Sequence, residues 1–494
     1  MGAVKDLIKK WLEIVPAEDQ KIRIDADMTH LDSCFEYQLW YRGSASELEQ
    51  FYKSLTTVHD DTIRSKFWAA VPTKGNKLRK IHSGLPGLMV DMITSIVMSD
   101  LNGIEVTDPN AWDDTWQAIA KDNNFEDTLA QSISDVLIEG DGAWKISFDK
   151  NISDYPIIEF YPASRVKFEK ERGRVKKIIF TTRYYVEATS KAYFLEEHYS
   201  KGQIDYKLYD DMGNEVSLGN VPELKDLKPI TWTDDFVMAI PMMFYKSAKF
   251  KGRGRSIFDR KVDCFDAYDE AISQWQDALR LGRVKTYIPE TMIPRDPTNG
   301  TIIPPNPFDN QYIALKGNMS EDSKDKIVVD APTINYEGLL QTYVNTLDMC
   351  LQGIISPSTL GIDVKKLDNA EAQREKEKAT LYTRNNVIDA LNKVIPDLVK
   401  NVLGVYAALY NIGAENVDAT ITFGEYANPS FEAQVETLGK AASSNLMSTE
   451  TQVDELWGDT KDDEWKEKEV ARIKAEKGIT AGGEEPPAIG EFTA

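Results

Sequence analysis

Gly252 to Leu279 reads GRGRSIFDRKVDCFDAYDEAISQWQDAL, and within it Phe258, Val262, Phe265, Tyr268, Ile272, Trp275 and Leu279 follow one another at spacings of 4, 3, 3, 4, 3 and 4. That rhythm is the period of one helix face. It predicts a helix from Ser256 to Leu281, about 40 Å long at 1.5 Å per residue. Asp259, Asp263, Asp266, Asp269, Glu270 and Asp277 fall on its other side, so one face should pack while the other stays wet.

Tyr336, Leu340, Tyr343, Leu347, Cys350 and Ile354 form a second stripe, spaced 4, 3, 4, 3 and 4. Between the two stripes lies a proline-rich segment, Arg283 to Asn335, with short extended pieces at Gln311 to Leu315 and Lys326 to Val329. Because it carries packable strands, it reads as a small inserted unit and not a linker. Two amphipathic helices therefore bracket an insert, as antiparallel arms would.

Further along, Pro357 and Gly361 break the helical period. Asp368 with Glu371 three residues on has the pattern of a capping box, opening the longest helix, which can run to Ile412 before Gly413. Its stripe is Ile388, Leu391, Ile395, Leu398, Val402, Val405 and Leu409, with Pro396 expected to kink it. At almost 70 Å of contour, such a rod is expected to need neighbouring subunits to cover its stripe. Ala419 to Phe423 reads as a strand, the remainder to Gly478 as helix, and the final GGEEPP-containing tail as disordered.

Upstream, the region from Leu31 to Glu139 is helical in pattern, with helices opening at Ser46, spanning Leu85 to Met98, and spanning Trp112 to Ile138 with a break near Asn123-Asn124. Gly140-Asp141-Gly142 ends it. Alternating segments follow at Ala143 to Phe148, Ile157 to Tyr161, Val175 to Thr182, Lys191 to Tyr199 and Gln203 to Asp210, which predict a meander of antiparallel hairpins. The amino terminus reads as a short amphipathic helix. The fold class is thus α+β, mainly helical.

With 494 residues the chain is too long for one ordinary core. Its 58 Lys and Arg against 80 Asp and Glu leave a net charge of −22, which excludes general attraction to nucleic acid or an anionic membrane. Cys34, Cys264 and Cys350 are scattered and odd in number, which fits packing thiols in a reducing compartment. The most apolar stretch, Leu85 to Leu101, contains Asp91 and Asp100 and is too short to span a bilayer. With no secretory signal pattern either, a cytoplasmic site of synthesis is expected.

The sequence offers little for catalysis. No GxxxxGK[ST] loop exists to cradle phosphates, the GxG at Gly252 to Gly254 follows no strand of a βαβ unit, and no GxSxG elbow occurs. His30, His59, His82 and His198 lack metal-ligand spacing. Asp25, Asp27 and Asp32, Asp113-Asp114 and Asp462-Asp463-Glu464 could be imagined as ligands of a metal-dependent nuclease, but acidic runs of this density follow from composition. Catalytic, cofactor-binding and metal residues are expected to be absent. One contrast remains: Lys246 to Arg295 holds 11 basic and seven acidic residues inside an acidic chain. Lys249, Lys251, Arg253, Arg255, Arg280, Arg283 and Lys285 belong to it, and Lys365 and Lys366 stand in the loop between long helices.

Several strings, in order, resemble the portal proteins of long-tailed siphophages: SGLPGLMVDMITSIVMSD at Ser83 to Asp100, LIEGDGAWKISFD at Leu137 to Asp149, the Gly252 to Leu279 stretch, NAEAQREKEKATLYTRNNVIDAL at Asn369 to Leu391, and ITFGEYANPSFEAQVETL at Ile421 to Leu438. The likeness spans Tyr37 to Lys477. It implies a portal fold, assembled as a dodecameric ring, with a wing (1–255), a first stem helix (256–282), a clip (283–335) and a second stem helix (336–355). A tunnel loop (356–368), a long kinked helix (369–413), a crown (414–478) and a tail (479–494) would follow. By the same resemblance the ring would conduct double-stranded DNA at one capsid vertex of the virion during packaging and ejection. Its clip would dock the terminase and then head-completion (adaptor) proteins, and its wing would meet major capsid and scaffolding proteins, with no membrane partner and no cofactor. Lys365 and Lys366 become DNA-proximal residues of the tunnel loop, and the seven basic residues above mark the basic turn and the stem and clip entrance. A different ring-forming head–tail connector is the alternative of the same class.

Overall fold

The computed structural model describes residues 29–55, 66–71, 79–107, 112–233, 236–283, 285–289, 295–301, 312–315, 328–330, 333–362, 370–412, 417–424, 431–444, 447–457 and 463–476. The amino-terminal helix, the Asp368 capping box and the tail after Gly478 lie outside them. The chain divides into two compact units, Met1–Phe423 and Gly424–Ala494.

In the first unit, Thr29 and Asp32 form a reciprocal capping box that starts α1 (His30–Arg42), and α2 (Ala45–Leu55) follows. The apolar run of α3 (Leu85–Ser99) buries Leu85, Met89, Val90, Ile93 and Val97. Next comes β1 (Leu101–Thr107), a strand in a region whose pattern reads as helical throughout. Its signal is only seven residues long, and its partner lies far away in sequence. Helices α4 (Trp112–Asp122) and α5 (Phe125–Glu139) are split where Asn124 adopts a left-handed backbone, φ 46°. Asn123 fixes the corner, donating to Ile119 O and Pro156 O and accepting from Ile158 N.

The β region is two sheets and not one meander. β2 (Asp141–Ser147) lies between β3 (Ile157–Pro162) and β10 (Ala239–Met243), which returns from more than 70 residues on. The hairpin rhythm holds for the consecutive antiparallel pair β2 and β3 and for the second sheet, with β4 (Val166–Glu171), β5 (Arg174–Val186), β6 (Lys191–Ser200), β7 (Gln203–Asp210) and β8 (Glu215–Val216) in sequence order, and β9 (Ile230–Thr231) also on β7. Lys145 of β2 joins the two sheets, its ammonium 2.6 Å from Glu197 of β6 in a buried pair.

The long amphipathic helices come next, α6 (Val262–Leu281) and α7 (Tyr336–Leu351). Helix α6 starts six residues later than its stripe predicts, because Arg260 takes a left-handed φ of 66° that no continuous α-helix allows. Between them β11 (Lys285–Pro289) pairs in parallel with β12 (Tyr312–Leu315) and antiparallel with β13 (Val328–Asp330).

Helix α8 (Ala370–Tyr410) carries Pro396 within it. Leu391, Ile395, Leu398, Val399, Val402 and Leu403 are completely enclosed, and Ile388 and Val405 are buried, so the expectation that neighbours must cover this stripe is corrected; only Leu409 stays exposed. The cover comes from α3, β10 and the two-stranded sheet of β1 with β14 (Asp418–Phe423). At about 1.5–3 kcal/mol for each large apolar side chain fully buried, this stripe is a principal part of the core. The β1–β14 pairing lies within the first unit, which ends at Phe423.

The second unit contains α9 (Phe431–Ser443), α10 (Thr449–Trp457) and α11 (Asp463–Glu476). Trp457 meets Trp465 edge-on, and Lys466 pairs with Asp454 across α10 and α11.

Candidate functional site: a helix pair, its insert and a basic turn

The basic turn sits directly on the end of α5. Gly140 has φ 99°, and a Cβ there would lie 2.8 Å from the Gly254 backbone; one on Gly254 would lie 2.0 Å from Gly140 O. Glycine at both positions permits this contact. Asp141, wholly buried, accepts from Gly254 N at 2.5 Å and from Arg253 Nη2 at 2.8 Å. Burial raises the Asp141 carboxyl above its ordinary range, and the Arg253 guanidinium opposes that rise. Arg253 also donates to Val166 O and Ala163 O and lies over the Phe168 ring, so it bolts the turn to the edge of β4. Arg255 stacks on Tyr245 and Lys249 on Phe250, while Lys251 stands exposed.

The root of the helix pair is built on carboxylates that the helix pattern places on a wet face. Asp266 and Asp269 are 7% and 0% exposed. Asp266 accepts from Phe67 N and Trp68 N at 2.8 and 3.2 Å. Asp269 accepts from Ser83 N at 2.9 Å, from Trp68 Nε1 at 3.3 Å and from His82 Nδ1 at 2.6 Å. Ser273, one turn on, accepts from Ile81 N. Residues 66–68 and 81–83 are thereby stapled to α6. Burying carboxylates is tolerable because each meets several donors. The nearest sequence signal is the i, i+3 repeat of Asp266, Asp269 and Ile272, with its acids on the margin of the apolar stripe.

Lys261 closes the root from the other side. Its ammonium donates to Met349 O at 2.7 Å and Gln352 O at 2.9 Å, satisfying carbonyls at the end of α7. Tyr268 and Trp275 of α6 pack on Tyr343 of α7, with centroids 5.4 and 5.7 Å apart. Beyond this ladder the pair is bare. Leu279, Leu281, Tyr336 and Leu340 are 46%, 55%, 62% and 45% exposed, around a groove of about 740 Å³ lined by Leu281, Ile334 and Leu339 among others. Arg280 and Arg283 stand at this far end, and Lys285 is the first residue of β11.

After α7, Ser356 N donates to Thr380 Oγ1, and Thr383 Oγ1 donates to Ile354 O, which ties the start of the following loop to α8. Arg384 of α8 pairs with Asp100 at 2.5 Å. Lys365 and Lys366 lie outside the described residues. The structure thus brings Lys249, Lys251, Arg253 and Arg255 together in one turn.

Three of the imagined metal ligands have other employment. Asp32 is the capping-box partner of Thr29, and Asp113 accepts from Val106 N. Glu464 holds Lys468, and Asp25, Asp27 and Asp462 lie outside the described residues. Among the described residues no three His, Cys, Asp or Glu side chains gather as a metal site, and no helix is long and apolar enough to cross a membrane. The thiols of Cys34 and Cys350 are pushed far up by burial, which opposes thiolate formation.

Comparison with known proteins gives one extended match. The family described as phage portal protein, SPP1 Gp6-like, matches residues 36–482. No curated protein gives a significant match. Among solved structures, a chain in the neck of a native GTA particle computed with C12 symmetry is 11% identical, with 82% of this chain and 92% of that chain covered and a TM-score of 0.37. A chain in the neck of an empty GTA particle computed with C6 symmetry is 10% identical, with 78% and 95% covered and a TM-score of 0.38.

Proposed function

Since this chain belongs to the SPP1 Gp6-like family of phage portal proteins, and its role is that of a structural portal, we propose that twelve copies close into a ring at one capsid vertex and conduct double-stranded DNA during packaging and ejection. In this reading α6 and α7 are the stem, the insert with β11, β12 and β13 is the clip, and the loop through Lys365 and Lys366 lines the tunnel. Residues before 256 form the wing, and the crown lies in the second unit. The clip docks the terminase motor and afterwards head-completion proteins, while capsid and scaffolding proteins meet the wing.

The observation that carries the reading is the bare far end of the helix pair, where Leu279, Leu281, Tyr336 and Leu340 keep roughly half their surface. Equivalent helices of neighbouring copies would cover it. The net charge of −22 supports passage, since a predominantly acidic wall avoids the tight phosphate contacts that would retard sliding DNA. Electron-microscopic class averages of the purified chain test this: twelve-fold rings with a central hole are expected. Six-fold rings would favour another head–tail connector, and monomers at micromolar concentration would refute the ring. Charge reversal of Lys365 and Lys366 should impair packaging or DNA retention; unchanged values of both would remove those two residues from the DNA path.

A further inference from the structure

Residues 165–177 hold seven basic and two acidic residues, and residues 246–255 hold five basic and none acidic. Far apart in sequence, the two segments touch: the Lys170 ammonium donates to Gly252 O, and Arg253 reaches Val166 O and the Phe168 ring. A basic surface of an acidic chain is therefore assembled by folding. Its tip is the two-residue turn between β4 and β5, Arg172-Gly173, with φ of 51° and 80°, flanked by Glu171 paired with Arg174. Both central φ values are positive, as a tight hairpin turn requires, and such positions favour Asn, Asp or Gly. An arginine there accepts backbone strain and stands exposed at the tip. Among the described residues no carboxylate lies within ion-pair distance of Arg172, Arg174, Lys246, Lys249 or Lys251.

At the opposite end of α5 the charge is reversed. A groove of about 640 Å³ runs between β1 and the α4–α5 corner, lined among the described residues by Glu105, Glu126 and Asp127 with one cation, Lys121, and by polar Asn102 and Gln117. The basic turn sits at Gly140, beyond the last residue of α5, and Glu126 and Asp127 lie in the first turn of that helix. Fifteen residues at 1.5 Å separate the two ends by about 20 Å. The hairpin is held at the basic end through Lys170 and Arg253, while the acidic groove lies at the other end of the same helix.

We infer that the Arg172-Gly173-Arg174 turn of one copy docks into the Glu105, Glu126 and Asp127 groove of the next. The inference rests on the ring proposed above: a cyclic ring needs two different, mutually complementary patches on each subunit. The occupant is a second copy, because Glu169 and Glu171, ion-paired with Lys177 and Lys176, give the hairpin a mixed-charge surface of the kind that suits a protein groove with Lys121 among its acids.

Charge swapping in the full chain tests it, with ring fraction read by analytical ultracentrifugation in 0.1 M salt. R172E/R174E should lower the ring fraction about tenfold, E126K/D127K likewise, and the two together should restore it to within about twofold of wild type. The neutral pair R172Q/R174Q should give an intermediate loss. Unchanged far-ultraviolet circular dichroism and melting temperature separate lost docking from lost folding. Wild-type protein that forms no ring would defeat the underlying reading. Rings that form in wild type and persist in both reversed variants would overturn this inference alone, as would failure of the combined variant to recover. Intact rings with weakened retention of duplex DNA in the R172E/R174E variant would assign the hairpin to DNA, and that too would overturn it.

Discussion

In α8 the side chains of Leu391, Ile395, Leu398 and Val402 are wholly enclosed, whereas at the far end of the α6–α7 pair Leu281, Tyr336 and Leu340 keep 55%, 62% and 45% of their surface. Both stretches carry the same alternation of three- and four-residue spacings. The difference is in what lies alongside. Helix α8 runs against α3, β10 and the β1–β14 sheet, while beyond the Tyr343 contact α6 and α7 meet, among the described residues, chiefly each other and the Ile334 segment. An apolar stripe therefore identifies the face that seeks cover without saying whether the chain itself supplies it.

The sharpest way to break the comparison is to truncate one residue from each region. Leu398→Ala should lower the unfolding free energy of the subunit by about 2–5 kcal/mol, measured by urea denaturation, because the enclosed site cannot fully collapse. A loss below about 1 kcal/mol would mean that α8 is less firmly seated than its burial indicates.

Asp269→Ala tests the root between the two regions. It leaves the Trp68 indole, the Ser83 amide and the His82 imidazole without their acceptor, and should cost about 3 kcal/mol in the same measurement. Asp269→Asn, which keeps an acceptor, should cost less.

Burial also gives the enclosed region a pH dependence. Glu139 is 3% exposed, and desolvation raises its carboxyl to about 7 from an ordinary 4.5, despite donation from Ser164 N, Ser164 Oγ and the Gln38 amide. Between those values the folded chain binds more protons than the unfolded chain, so this residue makes stability fall as pH rises from about 4.5 to 7, with no further change above. Glu139→Gln removes the dependence and should raise stability at pH 8 by on the order of 1–3 kcal/mol relative to wild type, with little difference at pH 4. Urea midpoints at the two pH values check it; equal effects at both would show that Glu139 does not titrate there.

The smallest effect belongs to the bare end. Leu340→Ser should change subunit stability by less than about 0.5 kcal/mol while reducing the ring fraction in ultracentrifugation. Lost stability with an unchanged ring fraction would mean that this face packs within the subunit.

Much of this architecture was legible in the sequence, for identifiable reasons. Periodicity located α6, α7 and α8, and alternation located β2, β3, β5, β6 and β7, because both signals are local. What escaped was nonlocal. The strand β1 is recognisable only beside β14, and β10 only beside β2. Asp266 and Asp269 pass for a solvated face until residues 67, 68 and 83 arrive to donate to them. Arg253 likewise has the composition of a solvated basic turn, and its employment becomes visible only with Asp141 and the edge of β4 beside it. Lys365 and Lys366, the residues singled out for a DNA path, lie outside the described residues.

The pairing of β1 with β14 also sets a timetable. Thr422 Oγ1 donates to Gly103 O across 319 residues of chain. At about 5–20 residues per second on the ribosome, β1 waits roughly 15–65 seconds for its partner after emerging. Through that interval its inner edge is an open template for pairing with another nascent chain. The outer edge is already occupied, since Asp113 accepts from Val106 N and Gln117 donates to Ile104 O, both from the helix that emerges next. The segment most exposed to misassembly during synthesis is thus half-protected within its first seconds, and complete only when the first unit is nearly finished.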